Sequence, residues 1–171
     1  MRRTIRVNQV PGLIAGIFVG LAIAWLWPQE PAYATTGDRA QHFSMVTVPV
    51  SDAANGILNP LDGVFVLDLV TGNLRGGVIN RQTGKFASFS FRELAKDFDV
   101  NPNQAPEFCM VSGYAQIPNQ AGKQMSSGMI YIGEFNSGKV VGYTFPWVEK
   151  GMGGPVQMIP MDVFQWGQQG K

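Results

Sequence analysis

The chain has 171 residues, the size of one ordinary domain, and its 13 Lys and Arg against 12 Asp and Glu leave a formal charge of +1. Charged residues are 15% of the total, against ~25% in average soluble proteins, which excludes a disordered charged tail and a nucleic-acid binder working by bulk charge. One Cys and one His exclude an internal disulfide framework, a four-Cys zinc site and any arrangement that needs two histidines.

The chain opens with Arg2, Arg3 and Arg6 and no acid, followed by fifteen uninterrupted apolar or Gly positions over 13–27, stopped by Pro28. Ala32-Tyr33-Ala34 then supplies the small residues of an A-x-A cleavage site, so 1–34 reads as a secretory signal cut after Ala34. An uncleaved anchor is the competing reading. The 18 positions from Val10 to Trp27 would rise about 27 Å as a helix, just enough for a bilayer core of ~30 Å. Trp25 and Trp27 would then sit at the outer interface. Either way the arginines stay in the cytoplasm and the rest of the chain is exported. Without 1–34 the chain loses three Arg and one Glu, leaving 10 basic and 11 acidic residues, and no charge-based partner is implied.

Residues 35–62 read as a linker with one strand, SMVTVPV (44–50), whose proline suits a sheet edge. From Gly63 to Lys171 the chain reads as a β-rich extracytoplasmic domain. Residues 64–80 and 130–146 align without a gap at a shift of 66. Val64-Phe65-Val66 meets Ile130-Tyr131-Ile132, Asp68 meets Glu134, and Gly72 and Gly76 meet Gly138 and Gly142. Each copy reads as strand, tight turn, strand, with Gly supplying the positive φ of the turn. Asp68 and Glu134 read either as a ligand pair across the copies or as turn acceptors. A third turn, Asn80 to Lys85, feeds the strand KFASFSF, so 63–91 is expected to be a three-stranded meander.

Ser90 and Glu93 match a capping box. Phe91, Leu94, Ala95 and Phe98 make a stripe at helical spacing, so a short amphipathic helix is expected there, packed on a sheet and ended before Pro102. Glu107 to Ala115 reads as a buried strand with Cys109 as an inert core thiol. Residues 116–127 read as a polar loop, and VQMIPMDVFQWG reads as either a last strand or a contact arm. The fold class expected is mainly β (α+β), an antiparallel sheet of repeated hairpins with six to eight strands and one short helix, after an N-terminal hydrophobic helix.

The segments at 66–74 and 130–140 resemble hairpins of β-propeller blades. Four blades of about 40 residues exceed the 137 residues beyond Ala34, so a complete monomeric propeller is excluded. VLDLVTGNLRGGVINRQTGKF, FCMVSGYA and IYIGEFNSGKVVGYTFPW, in that order, resemble a family of small signal-bearing planctomycete proteins of unknown function. The resemblance implies export and a compact domain, and supplies no site residues.

His42 lies in the expected linker, away from any placed nucleophile. Neither a P-loop nor a G-x-G-x-x-G element occurs, so no cofactor is expected. No metal ligands, catalytic residues or nucleic-acid partner are expected. The expected function is therefore a non-catalytic structural or protein-interaction module of the cell envelope. It would be anchored through 13–27 if uncleaved, with a second copy or an envelope protein as partner. Aromatic residues beyond what such a core can hide motivate this, and Met158, Met161, Phe164 and Trp166 are the expected contacts. The alternative is an extracytoplasmic hydrolase with paired carboxylates drawn from Asp62, Asp68, Glu107 and Glu134.

Overall fold

The computed structural model describes residues 16–18, 20–22, 37–51, 60–100, 103–119 and 122–166. The chain divides into two compact units, Met1–Tyr33 and Ala34–Lys171. In the first, residues 16–18 and 20–22 are helical, and Ile17, Phe18 and Leu21 are exposed. No helix among the described residues is long and apolar enough to cross a membrane. Most of the 13–27 run lies outside the described residues, as do Ala32 and Ala34.

The second unit is built on two sheets. One, sheet A, has the order β1 (Gly37–Arg39), β2 (Phe43–Ser51), β3 (Leu61–Asp68), β4 (Asn73–Asn80), β5 (Lys85–Glu93) and β9 (Val156–Gln157). Sheet B has the order β10 (Ile159–Gln165), β8 (Lys139–Thr144), β7 (Gly128–Glu134) and β6 (Phe108–Tyr114). All pairings are antiparallel except β5 with β9. The inward residues of both sheets form one core, including Val48, Phe65, Leu67 and Leu74 from sheet A and Ile130, Ile132, Val141 and Tyr143 from sheet B. Phe65 meets Phe145 across it at 4.6 Å between ring centroids.

The meander 63–91 forms as expected, as β3, β4 and β5. Among the described residues ten strands replace the six to eight expected, because the short β1 and β9 have too few residues to show a period. The edge-strand reading of 44–50 is corrected. β2 lies between β1 and β3, while Pro49 falls past the end of β1, beside a bulge, where a missing N–H is tolerated. Glu107 to Ala115 is corrected the other way: β6 is the edge of sheet B, with Val111 and Tyr114 exposed and Cys109 only partly covered. The end of the loop at 116–127 is not solvated, since Met125, Ser126 and Ser127 are buried.

The capping box is also corrected. Ser90, Phe91 and Glu93 belong to β5, and the helix, α1, is one turn, Ala95–Phe98, with no side-chain cap. Glu93 reaches Lys96 instead, 3.5 Å away. Leu94 and Phe98 are buried as the stripe requires, but Phe91 and Ala95 are exposed. Strand pairing of Ser90 and Phe91 with Gly76 and Arg75 satisfies their backbone, and a helix so short had little stability to set against it.

Three hairpin turns use one device. Asp68 accepts hydrogen bonds from the N–H groups of Val70 and Thr71 at 2.9 and 3.2 Å. Asn80 accepts from Gln82 and Thr83 at 2.8 and 3.1 Å, and Glu134 from Asn136 and Ser137 at 3.2 and 2.7 Å. Each turn closes on a left-handed glycine, Gly72, Gly84 or Gly138, with φ of 69°, 67° and 67°. The side chain of each first residue thus satisfies N–H groups that the ladder leaves unpaired.

A clamp ties the sheets together beyond the shared core. Arg92 in β5 donates to both carboxylate oxygens of Asp97 in α1, its Nε at 2.7 Å, and to the Met158 carbonyl at 3.2 Å. Tyr143 in β8 donates to Asp97 at 2.8 Å. Burial alone would raise the Asp97 pKa, but the bonds from Arg92 and Tyr143 more than reverse it and hold the carboxyl below its ordinary value. Burial, then the bond to Asp97, pushes the Tyr143 hydroxyl upward.

Candidate functional site

The strand β5 reverses the usual polarity of a sheet. In KFASFSF, Ser88 and Ser90 point into the core, while Phe86, Phe89 and Phe91 point outward. The hydroxyls of Ser88 and of Ser51 in β2 are buried without a hydrogen-bond partner, each a cost of about 1–3 kcal/mol. Alternation alone predicts two faces, one aromatic and one of Ser, and β5 buries the less apolar of them.

The register extends this outer face across sheet A. Met45 pairs with Val66, Val66 with Arg75, and Arg75 with Phe91. In the next row, Thr47, Val64, Gly77 and Phe89 are aligned. Phe43, Met45, Val66, Phe86, Phe89 and Phe91 are all exposed, from 36% at Phe91 to 52% at Phe43. Gly77 keeps the surface flat, because a Cβ there would lie 3.0 Å from Phe86 and 3.4 Å from Phe89. The boundary row carries the polar residues Asp68, Asn73 and Glu93 beside Phe43.

Arg75 lies on this surface between its apolar side chains and the polar row of Asp68, Asn73 and Glu93, and its side chain makes no hydrogen bond or ion pair among the described residues. Two grooves flank it. One, of ≈ 370 Å³, is lined by Phe89, Phe91, Asn73 and Pro155, and the other, of ≈ 270 Å³, by Phe43, Val66, Asp68 and Asn73. A third hollow of ≈ 380 Å³ lies among the connections at one end of the sheets, against Arg39, Val70, Glu107 and Phe135.

The expected contact residues separate. Met158 is buried between the sheets, 1% exposed, so it is part of the core and not a contact. Met161, Phe164 and Trp166 are exposed on or just after β10, the other edge of sheet B. Trp166 packs its ring edgewise on Phe135 at 5.9 Å, and its backbone N–H donates to the Gly138 carbonyl at 3.0 Å. The tail is thus a closing strand with an exposed outer side. Of eight aromatic residues from which a surplus over the core is expected, Tyr143, Phe145 and Trp147 are buried, Tyr131 is partly exposed, and Phe86, Phe89, Phe164 and Trp166 are exposed.

The carboxylates are committed locally. Asp68 lies below its ordinary pKa through bonds from Thr71 and Val70. Burial would raise Glu134, but the N–H groups of Ser137, Glu107 and Asn136 outweigh it and leave it low. Glu107 meets Glu134 through its backbone N–H at 3.1 Å. Asp62, opposite Pro49 in the β2–β3 pair, is raised by burial. His42, in the turn between β1 and β2, is exposed, and its carbonyl accepts from Leu69. No group of three or more His, Cys, Asp or Glu among the described residues is placed to hold a metal.

The outer face of sheet A was only half legible. The alternation in FASFSF signals a strand with an aromatic face, but the orientation of that face depends on partners in β4. The places of Phe43, Met45, Val66 and Arg75 beside it depend on register. No protein-family model matches the chain, and no curated protein or solved structure is significantly similar to it, so the geometry of this face is what a functional reading has to work from.

Proposed function

We propose that the protein is a non-catalytic module of the cell envelope, exported by its basic and apolar leader, that works by contact through the outer face of sheet A. The observation that carries this reading is the inverted polarity of β5. Burying Ser88 unpartnered while holding Phe89 and Phe91 in water costs stability twice, and such local conflicts gather where function requires them. The leader supplies the export half of the reading, from Arg2, Arg3, Arg6 and the apolar run. The hydrolase reading draws less support. Asp68 and Glu134 spend their oxygens on turn N–H groups and lie low, and Asp62, which burial raises, sits six residues along β3 from Asp68, about 20 Å at ~3.3 Å per residue, beyond the ~5–9.5 Å of a carboxylate pair.

The test is fractionation of cells carrying the tagged full chain, with protease added outside intact spheroplasts, followed by native mass of the gently extracted protein. Digestion from outside is expected. So is a larger native mass for the wild type than for a Phe89→Thr/Phe91→Thr variant of equal melting temperature. Recovery of the chain from the cytoplasm, or the same mass for both, overturns the reading.

A further inference from the structure

We infer that the hollow against Arg39, Val70, Glu107 and Phe135 binds a small zwitterion with an apolar side chain, either a free apolar amino acid or a short apolar peptide. The carboxylate of the ligand meets Arg39, its ammonium meets Glu107, and its side chain packs on the apolar lining. This hollow lies apart from the outer face of sheet A, and the inference does not rest on the contact reading.

The hollow is built from several connections. Arg39 and Gln41 come from the end of β1 and the turn after it, and Leu69 and Val70 from the turn after β3. Residues 105–108 come from the entry to β6, and Phe135 from the turn after β7. Hydrogen bonds between these connections fix the shape. The Leu69 N–H donates to the His42 carbonyl at 2.8 Å, which ties the first turn to the second. The Glu107 N–H donates to the Glu134 carboxylate at 3.1 Å, and the Phe135 N–H to the Glu107 carbonyl at 3.0 Å. The Asn136 side chain donates to the Ala105 carbonyl at 3.1 Å, and the Trp166 ring packs on that of Phe135. Walls already tied in this way need little ordering when a ligand enters. The volume of ≈ 380 Å³ suits a small molecule.

Charge selects the ligand. Arg39 and Glu107 line the same hollow, yet neither side chain makes a hydrogen bond or ion pair among the described residues. Asp38, the acid beside Arg39 in the chain, accepts from the Arg39 backbone N–H at 2.7 Å. Opposite charges on one hollow that stand too far apart to pair leave room between them for a molecule that bears both. A guanidinium takes a carboxylate through paired N–H donors, and the Glu107 carboxylate accepts from an ammonium. A simple anion is repelled by Glu107, and a simple cation by Arg39. The apolar lining selects the rest of the molecule. Val70 and Phe135 are 61% and 58% exposed, beside Leu69 and Phe108 at 8% and 2%. An apolar ligand side chain set against them takes that surface out of water.

The test is calorimetric titration of the full chain, held in nanodiscs, with leucine, with the dipeptide Leu-Leu, and with the amide and N-acetyl forms of each. The amides lack the carboxylate and the N-acetyl forms lack the ammonium. Saturable binding of leucine or Leu-Leu is expected, and the tighter of the two identifies the source as a free amino acid or a peptide. Each blocked form should bind about tenfold more weakly than its parent, for the loss of one charge-assisted contact. Arg39→Gln should abolish the advantage of the parent over its amide, and Glu107→Gln its advantage over the N-acetyl form. Both side chains are exposed, and unchanged urea midpoints check that the variants fold. Should one unfold, the ligand series on the wild type decides the question by itself. No saturable binding at millimolar concentration overturns the site, as do blocked forms that bind as tightly as their parents. Parent binding left unchanged by both substitutions also overturns it, because the ligand then sits elsewhere.

Discussion

The hairpins β3–β4 and β7–β8 are the two copies of the sequence repeat, and they turn opposite faces to the core. Their registers are the same. Phe65 pairs with Gly76 in sheet A, and at the equivalent positions Tyr131 pairs with Gly142 in sheet B. Each puts an aromatic ring beside a glycine. In sheet A that pair points inward and Phe65 is fully buried, whereas in sheet B it points outward and Tyr131 is partly exposed. The choice follows apolar volume. In sheet A the face with Phe65, Leu67, Leu74 and Val78 outweighs one with Val64, Val66, Gly77 and the charged Arg75. In sheet B the face with Ile130, Ile132, Val141 and Tyr143 outweighs one with Tyr131, Gly133, Val140 and Gly142. A period of two offers both faces, and burial selects the one that hides more apolar surface. The face that sheet B buries is thus the face that sheet A leaves open, which is where the outer surface around Arg75 comes from.

The largest effect expected is at the aromatic–glycine pair. Phe65→Ala removes a fully buried ring and should cost about 3–5 kcal/mol. Tyr131→Ala, on the outward side of the same pair, should cost well under half of that, as read from urea midpoints. Equal costs would mean that the two hairpins are buried alike. The glycines sharpen the point. A Cβ at Gly76 would lie 2.1 Å from the Phe65 ring, while at Gly142 the nearest atom is the mobile Met129 methyl at 2.7 Å. Gly76→Ala should therefore cost about 2–3 kcal/mol or more, and Gly142→Ala clearly less.

Next comes the clamp that joins the hairpins' sheets. Asp97→Asn removes the charge that Arg92 and Tyr143 share and should cost on the order of 2 kcal/mol, below the 3–5 of a fully buried pair because these side chains keep some solvent contact. The folded pKa of Asp97 is below its unfolded one, so its contribution is present above the unfolded value near 4 and is lost as pH falls through the folded value. Asp97→Asn should therefore flatten the acid limb of the stability curve between about pH 5 and that lower value. Stability falling instead from pH 7 to 9 in the wild type alone would contradict the assignment.

The turn acceptors differ by burial. Glu134 is 1% exposed and Asp68 far more open. Glu134→Gln should cost about 1–2 kcal/mol by weakening charge-assisted bonds to three N–H groups, and Asp68→Asn should produce a smaller shift in the same direction. The reverse order in thermal melts would break the comparison. The smallest effect belongs to the open face, where Phe89→Thr keeps strand propensity and should change stability by about 1 kcal/mol or less. A loss as large as that at Phe65 would show that Phe89 is a core residue after all.

Much of this fold is written locally. The turns at 68–72, 80–84 and 134–138 are dictated by an Asp, Asn or Glu that binds its own backbone and a glycine that accepts positive φ. The apolar runs between them make strands, and the clean alignment at a shift of 66 announces two like hairpins. These features need no partner, so sequence determines them. Whether Ser90 to Glu93 caps a helix or ends β5 depends on pairing with β4, which lies in another part of the chain. Which side of FASFSF is buried, whether Met158 is core or contact, and the isolation of Arg75 depend likewise on neighbours brought together only by the two sheets. A strand carries its two faces in its residues, but the choice between them belongs to whatever packs against it, and that is decided in three dimensions.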